Sequence, residues 1–380
     1  MMGGVRKLLA ACALLAGQAA LAGTVLDPSL KLTAEERYDD DFRLAEGTGG
    51  QLMTKLSPQL GLEVKDPRTK TEAFYAADLL VRHGSGNASL DHRGGLTLGY
   101  ELSRRLKLDF TGKLFRVTDP TSLPREGVAR SLSPTLYGQA KLSMTGRATE
   151  RLDLKASYAF EGAKVYEQGF APGFVHTPSL EAWYRETRRL SLGLEYRYQG
   201  FLFDNQFSHA QGAFAGLRYR LSRPTTLTVR GGPVLYTSPE GQSGWLPRAV
   251  VDLERDGELL DLGLAVGHDL VGASGFTNAL WADYASVMVS RRFDDRLSAH
   301  AAASYFRNGR APSEGAFRWY QSPYVSQGYA VGGSVDYRLT REVTLQGAVD
   351  RIAQVGAGDV AAGVNLARNV LAVRLVVSAW

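Results

Sequence analysis

From about residue 29 onward, apolar and polar side chains alternate along the chain, and the connections between the alternating runs are short and long by turns. In "LSLGLEYRYQGFLF", Leu190, Leu192, Leu194, Tyr196, Tyr198 and Leu202 share one face, and Ser191, Glu195, Arg197 and Gln199 share the other. Period two belongs to a β-strand with two unlike faces. The runs "LTLGYEL", "LKLDF", "LDLKASYAF" and "LDLGLAV" repeat it.

Short polar punctuators, "DPRT" at 66, "SRR" at 103, "GRATE" at 146, "TRR" at 187, "SRPT" at 222, "RDGE" at 255, "FDD" at 293 and "LTRE" at 339, predict hairpin turns. The alternate connections, among them "TDPTSLPREGVAR", "HDLVGASGF" and "RNGRAPSEGAFRWYQSP", are longer and rich in Gly and polar groups, with "DNQ" at 204 as the clipped exception. Turns on one side and loops on the other predict an all-β fold, a transmembrane antiparallel up-and-down barrel of about eighteen strands, with sixteen to eighteen compatible. The expected spans run from 29–38 and 52–65 through 190–203 and 259–268 to 343–352 and 367–380.

A soluble sandwich or propeller also alternates, since it too buries one face of each strand. The runs here have the ~9 to 11 residues of a barrel span rather than the ~5 to 6 of a globular strand. Aromatic residues also cluster toward strand ends, as at Tyr75, Phe115, Tyr137, Tyr184, Phe201, Tyr236 and Tyr337, where an interfacial girdle is expected.

At the N-terminus, Arg6 and Lys7 precede "LLAACALLAGQAALA", the form of an export signal, so residues 1–22 are expected to be a signal peptide and 23–380 a single barrel domain. Cys12, the one cysteine, falls within that signal, so disulfides and thiol chemistry are not expected. The formal net charge of +5 is too mild and too scattered for a nucleic-acid binder. No stretch after the signal has the length and apolarity of a membrane helix. Export plus this pattern predicts the outer membrane, where only a closed sheet leaves no edge facing lipid.

"ERYDDDF", "KLSPQLGLEVKDPRTKTEAFYAA" and "LGYELSRRLKLDFTGKL" resemble the opening hairpins of the β-barrel porin family encoded in exopolysaccharide gene clusters, and "ETRRLSL", "FDDRLSA" and "LTREVTL" echo its turn motif. The resemblance is best over the first ~100 residues and departs at "YDDDF", where the family often has Asp-Asn. It implies a barrel serving polysaccharide export, with a periplasmic export protein and the polymer as partners. The alternative is a general diffusion porin or a specific solute channel, which would explain every pattern except those motifs.

Candidate lumen residues occupy the polar register: Asp91, Arg93 and Glu101; Asp153, Lys155 and Glu161; Glu195, Arg197 and Gln199; Arg218, Arg220 and Arg374. Their mixed signs define no ion preference. Arg318, Trp319 and Tyr320 in the longest loop are a possible constriction. His83 and Ser85 in "RHGSG" form the one pair that a barrel lipid hydrolase would use, but a loop tip lacks the rigid support catalysis needs. The remaining histidines show no metal-ligand spacing, so no metal, cofactor or enzymatic activity is expected. The ending "VLAVRLVVSAW" reads as the closing strand: Leu371, Val373, Leu375 and Val377 toward lipid, Arg374 inward, and Trp380 as the terminal aromatic read by barrel-assembly machinery.

Overall fold

The structure is a computed structural model that describes residues 25–40, 50–84, 86–118, 135–166, 172–272, 279–310, 324–356 and 365–379. Among these residues there are eighteen strands and no helix. They are β1 (Val25–Asp39), β2 (Gln51–Lys65), β3 (Thr69–Arg82), β4 (Ala88–Ser103), β5 (Leu106–Val117) and β6 (Thr135–Arg147). Next come β7 (Leu152–Val165), β8 (Gly173–Arg185), β9 (Leu190–Phe203), β10 (Gln206–Arg220), β11 (Thr225–Thr237) and β12 (Ser243–Arg255). The last six are β13 (Leu260–Gly272), β14 (Ala279–Arg292), β15 (Leu297–Arg310), β16 (Tyr324–Arg338), β17 (Val343–Gly356) and β18 (Leu366–Ala379). Each strand pairs antiparallel with the next, and β18 returns to β1 from Leu30↔Ala379 to Asp39↔Val370, so the sheet closes without an edge.

The alternation becomes the two surfaces of the wall. Leu192, Leu194 and Tyr196 on β9 stand exposed on the exterior, as do Leu371, Val373, Leu375 and Val377 on β18. An apolar exterior of this extent needs a nonpolar environment to cover it. The intervening positions point into the barrel, where Arg374 of β18 reaches Glu35 of β1 and donates from Nη1 to Gln346 Oε1 at 2.7 Å. Above it, the wholly buried Asp39 takes Arg368 Nε at 3.0 Å on both carboxylate oxygens. First and last strands are thus joined by ion pairs as well as by backbone.

The short connections close through side chains. Asp294 accepts the N–H groups of Arg296 and Leu297, each at 2.7 Å, and these bonds hold its carboxyl below the ordinary carboxylate value. A depressed folded-state pKa stabilises above the unfolded value and loses that contribution as pH falls through the folded one. An Asp294→Ala variant is therefore expected to unfold at lower urea than the parent at pH 7, with the gap closing under acid; a gap that persists at acid pH would rule out the carboxylate as its source. On the opposite side, Asp204 and Asn205 turn β9 into β10 with φ of 46° and 62°, a two-residue turn in the left-handed region those residues tolerate. "DNQ" is therefore clipped because its loop is only that turn.

Three expectations change inside the barrel. Tyr137, Phe201 and Tyr236, placed by sequence in an interfacial girdle, are buried on the inner face. The positions sit near strand ends, but the register, not the distance from the end, decides which face they take. "HDLVGASGF", read as a connection, begins with strand: β13 continues to Gly272 in pairing with β14. β15 likewise runs to Arg310 and β17 to Gly356, because pairing with a neighbour holds glycines and polar residues in extended conformation that their propensities do not demand.

Trp183 of β8 lies inside against two glycines, one on the neighbouring β9 and one on β10 beyond it. A Cβ at Gly193 would fall 2.6 Å from the indole, and one at Gly216 would fall 2.9 Å from it. Gly193→Val is expected to cost roughly 1–3 kcal/mol by overpacking. Urea unfolding in lipid vesicles measures the loss, and an unchanged midpoint would show that the indole is free to move away.

Candidate functional site

The functional feature of a barrel is its lumen, and here the two walls differ. Along β13–β17 many inward positions are small: Gly263, Ala265, Ser286, Ala302, Ser304 and Gly332 line a cavity of about 750 Å³, together with the larger Met288, His300, Asp350 and Ile352. That cavity is bounded on the seam side by Arg37, Arg368 and Arg374 and on the other by Asp252 and Glu254 of β12. The glycine, alanine and serine positions keep the space open between these larger side chains.

Across β8–β12 the inner wall is large and apolar, with Phe201, Phe214, Val234, Tyr236 and Leu246 in one buried cluster. Leu270 and Ala279, on β13 and β14, complete it, with Val175 and Trp281 packed against it. They reach it because β13 leaves its neighbour. The β12–β13 ladder ends at Ala249↔His268, whereas β13 stays paired with β14 as far as Gly272↔Ala279. The end of this hairpin turns inward and lies on the inner wall instead of continuing it. Its approach is close: a Cβ at Gly272 would sit 2.3 Å from Val175 of β8, so only glycine fits.

Charge fastens the hairpin as well. Asp269 of β13 accepts Arg248 Nε at 2.8 Å and Arg197 Nη1 at 3.3 Å, and Gln199 Nε2 donates to the Leu270 carbonyl at 3.4 Å. Arg197 Nε in turn donates to Glu195 at 2.9 Å, and the Arg248 guanidinium covers the Phe214 ring at 4.4 Å. Arg248 and Glu195 are both buried, so these pairs hold without the screening of bulk water. The hairpin is a constriction built from the wall itself.

Three of the sequence candidates therefore meet at one place: Arg197 and Gln199 contact the hairpin from β9, and Glu195 holds Arg197 beside it. The others are distributed around the wall. Arg93 grips Asp78 from Nε at 2.7 Å and Nη2 at 2.9 Å, and Asp91 accepts the Thr118 hydroxyl at 2.6 Å. Lys155 lies 3.4 Å from Glu181, Asp153 lies 3.6 Å from both Arg147 and Arg185, and Arg218 stacks on Trp183 at 4.2 Å. Glu101 and Arg220 are exposed near the turn side, and Glu161 lies inside β7. Arg318, Trp319, Tyr320, Ser85 and Trp380 lie outside the described residues.

His83 meets a hydroxyl, but that of Thr54, at 2.8 Å, with Glu36 3.1 Å from the same ring nitrogen. A relay needs hydroxyl and carboxylate on opposite nitrogens of the imidazole, so this arrangement does not activate Thr54. Among the described residues no group of three His, Cys, Asp or Glu side chains is placed to hold a metal.

Asp269, Arg248 and Leu270 were not candidates on sequence. The signal that locates them is the break in the inner register, where Phe201, Phe214, Val234, Tyr236 and Leu246 put apolar side chains on the face that is polar elsewhere. An apolar inner wall requires a cover.

No family model matches this chain, and no curated protein matches it. Solved structures of low identity are similar over nearly the whole length. The outer membrane protein OpdK from Pseudomonas aeruginosa is 11% identical, with 93% of this chain and 99% of that chain covered and a TM-score of 0.46. OccK7 (OpdD) from Pseudomonas aeruginosa is 11% identical over 94% and 98% of the two chains, with a TM-score of 0.46. OccAB4 from Acinetobacter baumannii is 12% identical over 93% and 98%, with a TM-score of 0.45. The barrel is established by this chain's own closed ladder, eighteen antiparallel strands with β18 paired to β1.

Proposed function

We propose that the protein is an outer-membrane channel for small hydrophilic solutes. The observation that carries this reading is the divided lumen: an open cavity of about 750 Å³ lined by small and charged residues beside a half occluded by the β13–β14 hairpin. A closed sheet with an apolar exterior suits a bilayer, and segregated turns and loops suit the outer membrane, with turns on the periplasmic side. The lumen walls carry both signs of charge, which leaves a wet path without a strong single-sign field.

A polysaccharide exit pore is the second reading, carried by the resemblance of the opening hairpins. The inner apolar cluster argues against it, because a passing polymer needs the cross-section that the hairpin fills. The two readings separate in a planar bilayer. The solute-channel reading expects discrete, stable conductance steps from the purified barrel alone. A barrel that inserts yet stays closed until a periplasmic partner is added would contradict it in favour of export.

A further inference from the structure

We propose that the exterior of β5–β10 carries a binding site for an anionic glycerophospholipid of the periplasmic leaflet; this rests on the membrane-channel reading above. The exterior there is not flat. Leu180 and Leu194 are among the most exposed apolar residues of the chain, at 61% and 63%. Small residues lie directly across the ladder from the large ones: Ala156 opposite Leu180, Ala182 opposite Leu194, and Gly146 opposite Leu154. The checkerboard leaves a groove of about 690 Å³ floored by Gly146, Ala156, Ala182 and Ala213 and walled by Met144 and Tyr196 together with those leucines. A straight acyl chain fills such a trough where a smooth wall would only be touched by it.

The groove opens at its turn end on Arg105. The turns from β4–β5 through β10–β11 carry Arg104, Arg105, Arg151, Arg188, Arg189 and Arg223 against Glu150 and Glu186 only. Further round the wall, beginning with the next turn, the β12–β13 and β14–β15 turns reverse the balance, with Asp256, Glu258, Asp294 and Asp295 against Arg296. Basic turns therefore stand beneath the groove and acidic turns away from it. Arg151 sits at the same rim, its Nη1 3.5 Å from the hydroxyl of Tyr184, an exposed aromatic of the exterior. Guanidinium groups pair with phosphate through two parallel hydrogen bonds. A chain in the groove with its phosphodiester at Arg105 and Arg151 satisfies both halves of the surface. The turn side selects a glycerophospholipid over lipopolysaccharide, which occupies the leaflet on the loop side.

The test is lipid retention by native mass spectrometry of the detergent-purified barrel, given equal amounts of phosphatidylglycerol and phosphatidylcholine of the same acyl chains. Phosphatidylglycerol is expected to be retained in excess. Arg105→Gln with Arg151→Gln should reduce that excess by about fivefold per arginine. Ala156→Leu with Ala182→Leu, which fills the floor, should reduce retention of both lipids. Heat-dependent gel mobility confirms that each variant is folded. Equal retention of the two lipids, an excess untouched by either pair of substitutions, or preference for added lipopolysaccharide would overturn the site. A barrel that conducts normally but shows one of these results contradicts the site alone, and one that fails to enter vesicles contradicts the channel reading with it.

Discussion

Replacing Arg368 by methionine is expected to destabilise the barrel by about 3–5 kcal/mol, because it strips a buried carboxylate of its main counter-charge. Asp39 and Arg368 have side chains 0% and 2% exposed, and the pair joins the first strand to the last. Arg37 approaches Asp39 only to 3.5 Å and does not replace the paired contact. The double variant Asp39→Asn, Arg368→Met should recover much of the loss, since the cost lies in the orphaned charge and not in the missing bond. Urea unfolding of vesicle-inserted protein, followed by tryptophan fluorescence, measures both. A loss below about 1 kcal/mol for the single variant would mean that the seam behaves as a solvated surface pair.

The second large effect is on conductance. Asp269→Ala removes the hairpin carboxylate shared by Arg248 and Arg197, and it leaves those two cations paired only with Glu195 of the wall, with nothing charged to hold the hairpin. The tip of β13 has no backbone pairing with β12 beyond His268, so its inward position depends on that carboxylate, on the Gln199 contact and on Leu270. Release of the tip is expected to raise single-channel conductance roughly twofold or more, as the occluded half of the lumen joins the open half. Asp261→Ala, on the same strand near its turn, is the control and should leave conductance unchanged. A conductance unaltered by Asp269→Ala would show that apolar packing alone holds the hairpin.

Much of this architecture is legible in the sequence because a barrel wall is built from local rules. The run 190–203 coincides with β9, and the closing run faces Leu371, Val373, Leu375 and Val377 outward and Arg374 inward. Period two fixes which side chains share a face, and short turns fix which strands are neighbours. The same rules are silent about contacts between strands that are not neighbours. Asp269 meets Arg197 from four strands away, and Gly272 fits against Val175 of β8, so neither partnership leaves a mark on local pattern. "HDLVG" reads as the start of a loop because a strand that leaves its neighbour no longer needs the alternation imposed by lipid on one side and water on the other. The inward aromatics Phe201, Phe214 and Tyr236 carried that information, but only the register distinguishes them from a girdle residue such as Tyr184.

A channel for small solutes, narrowed by its own wall, should sort sugars of increasing size in an osmotic swelling assay on vesicles containing the purified barrel. Fast swelling with monosaccharides, slow swelling with short oligosaccharides and none with dextran are expected. Entry of dextran at a rate comparable to that of monosaccharide would contradict it.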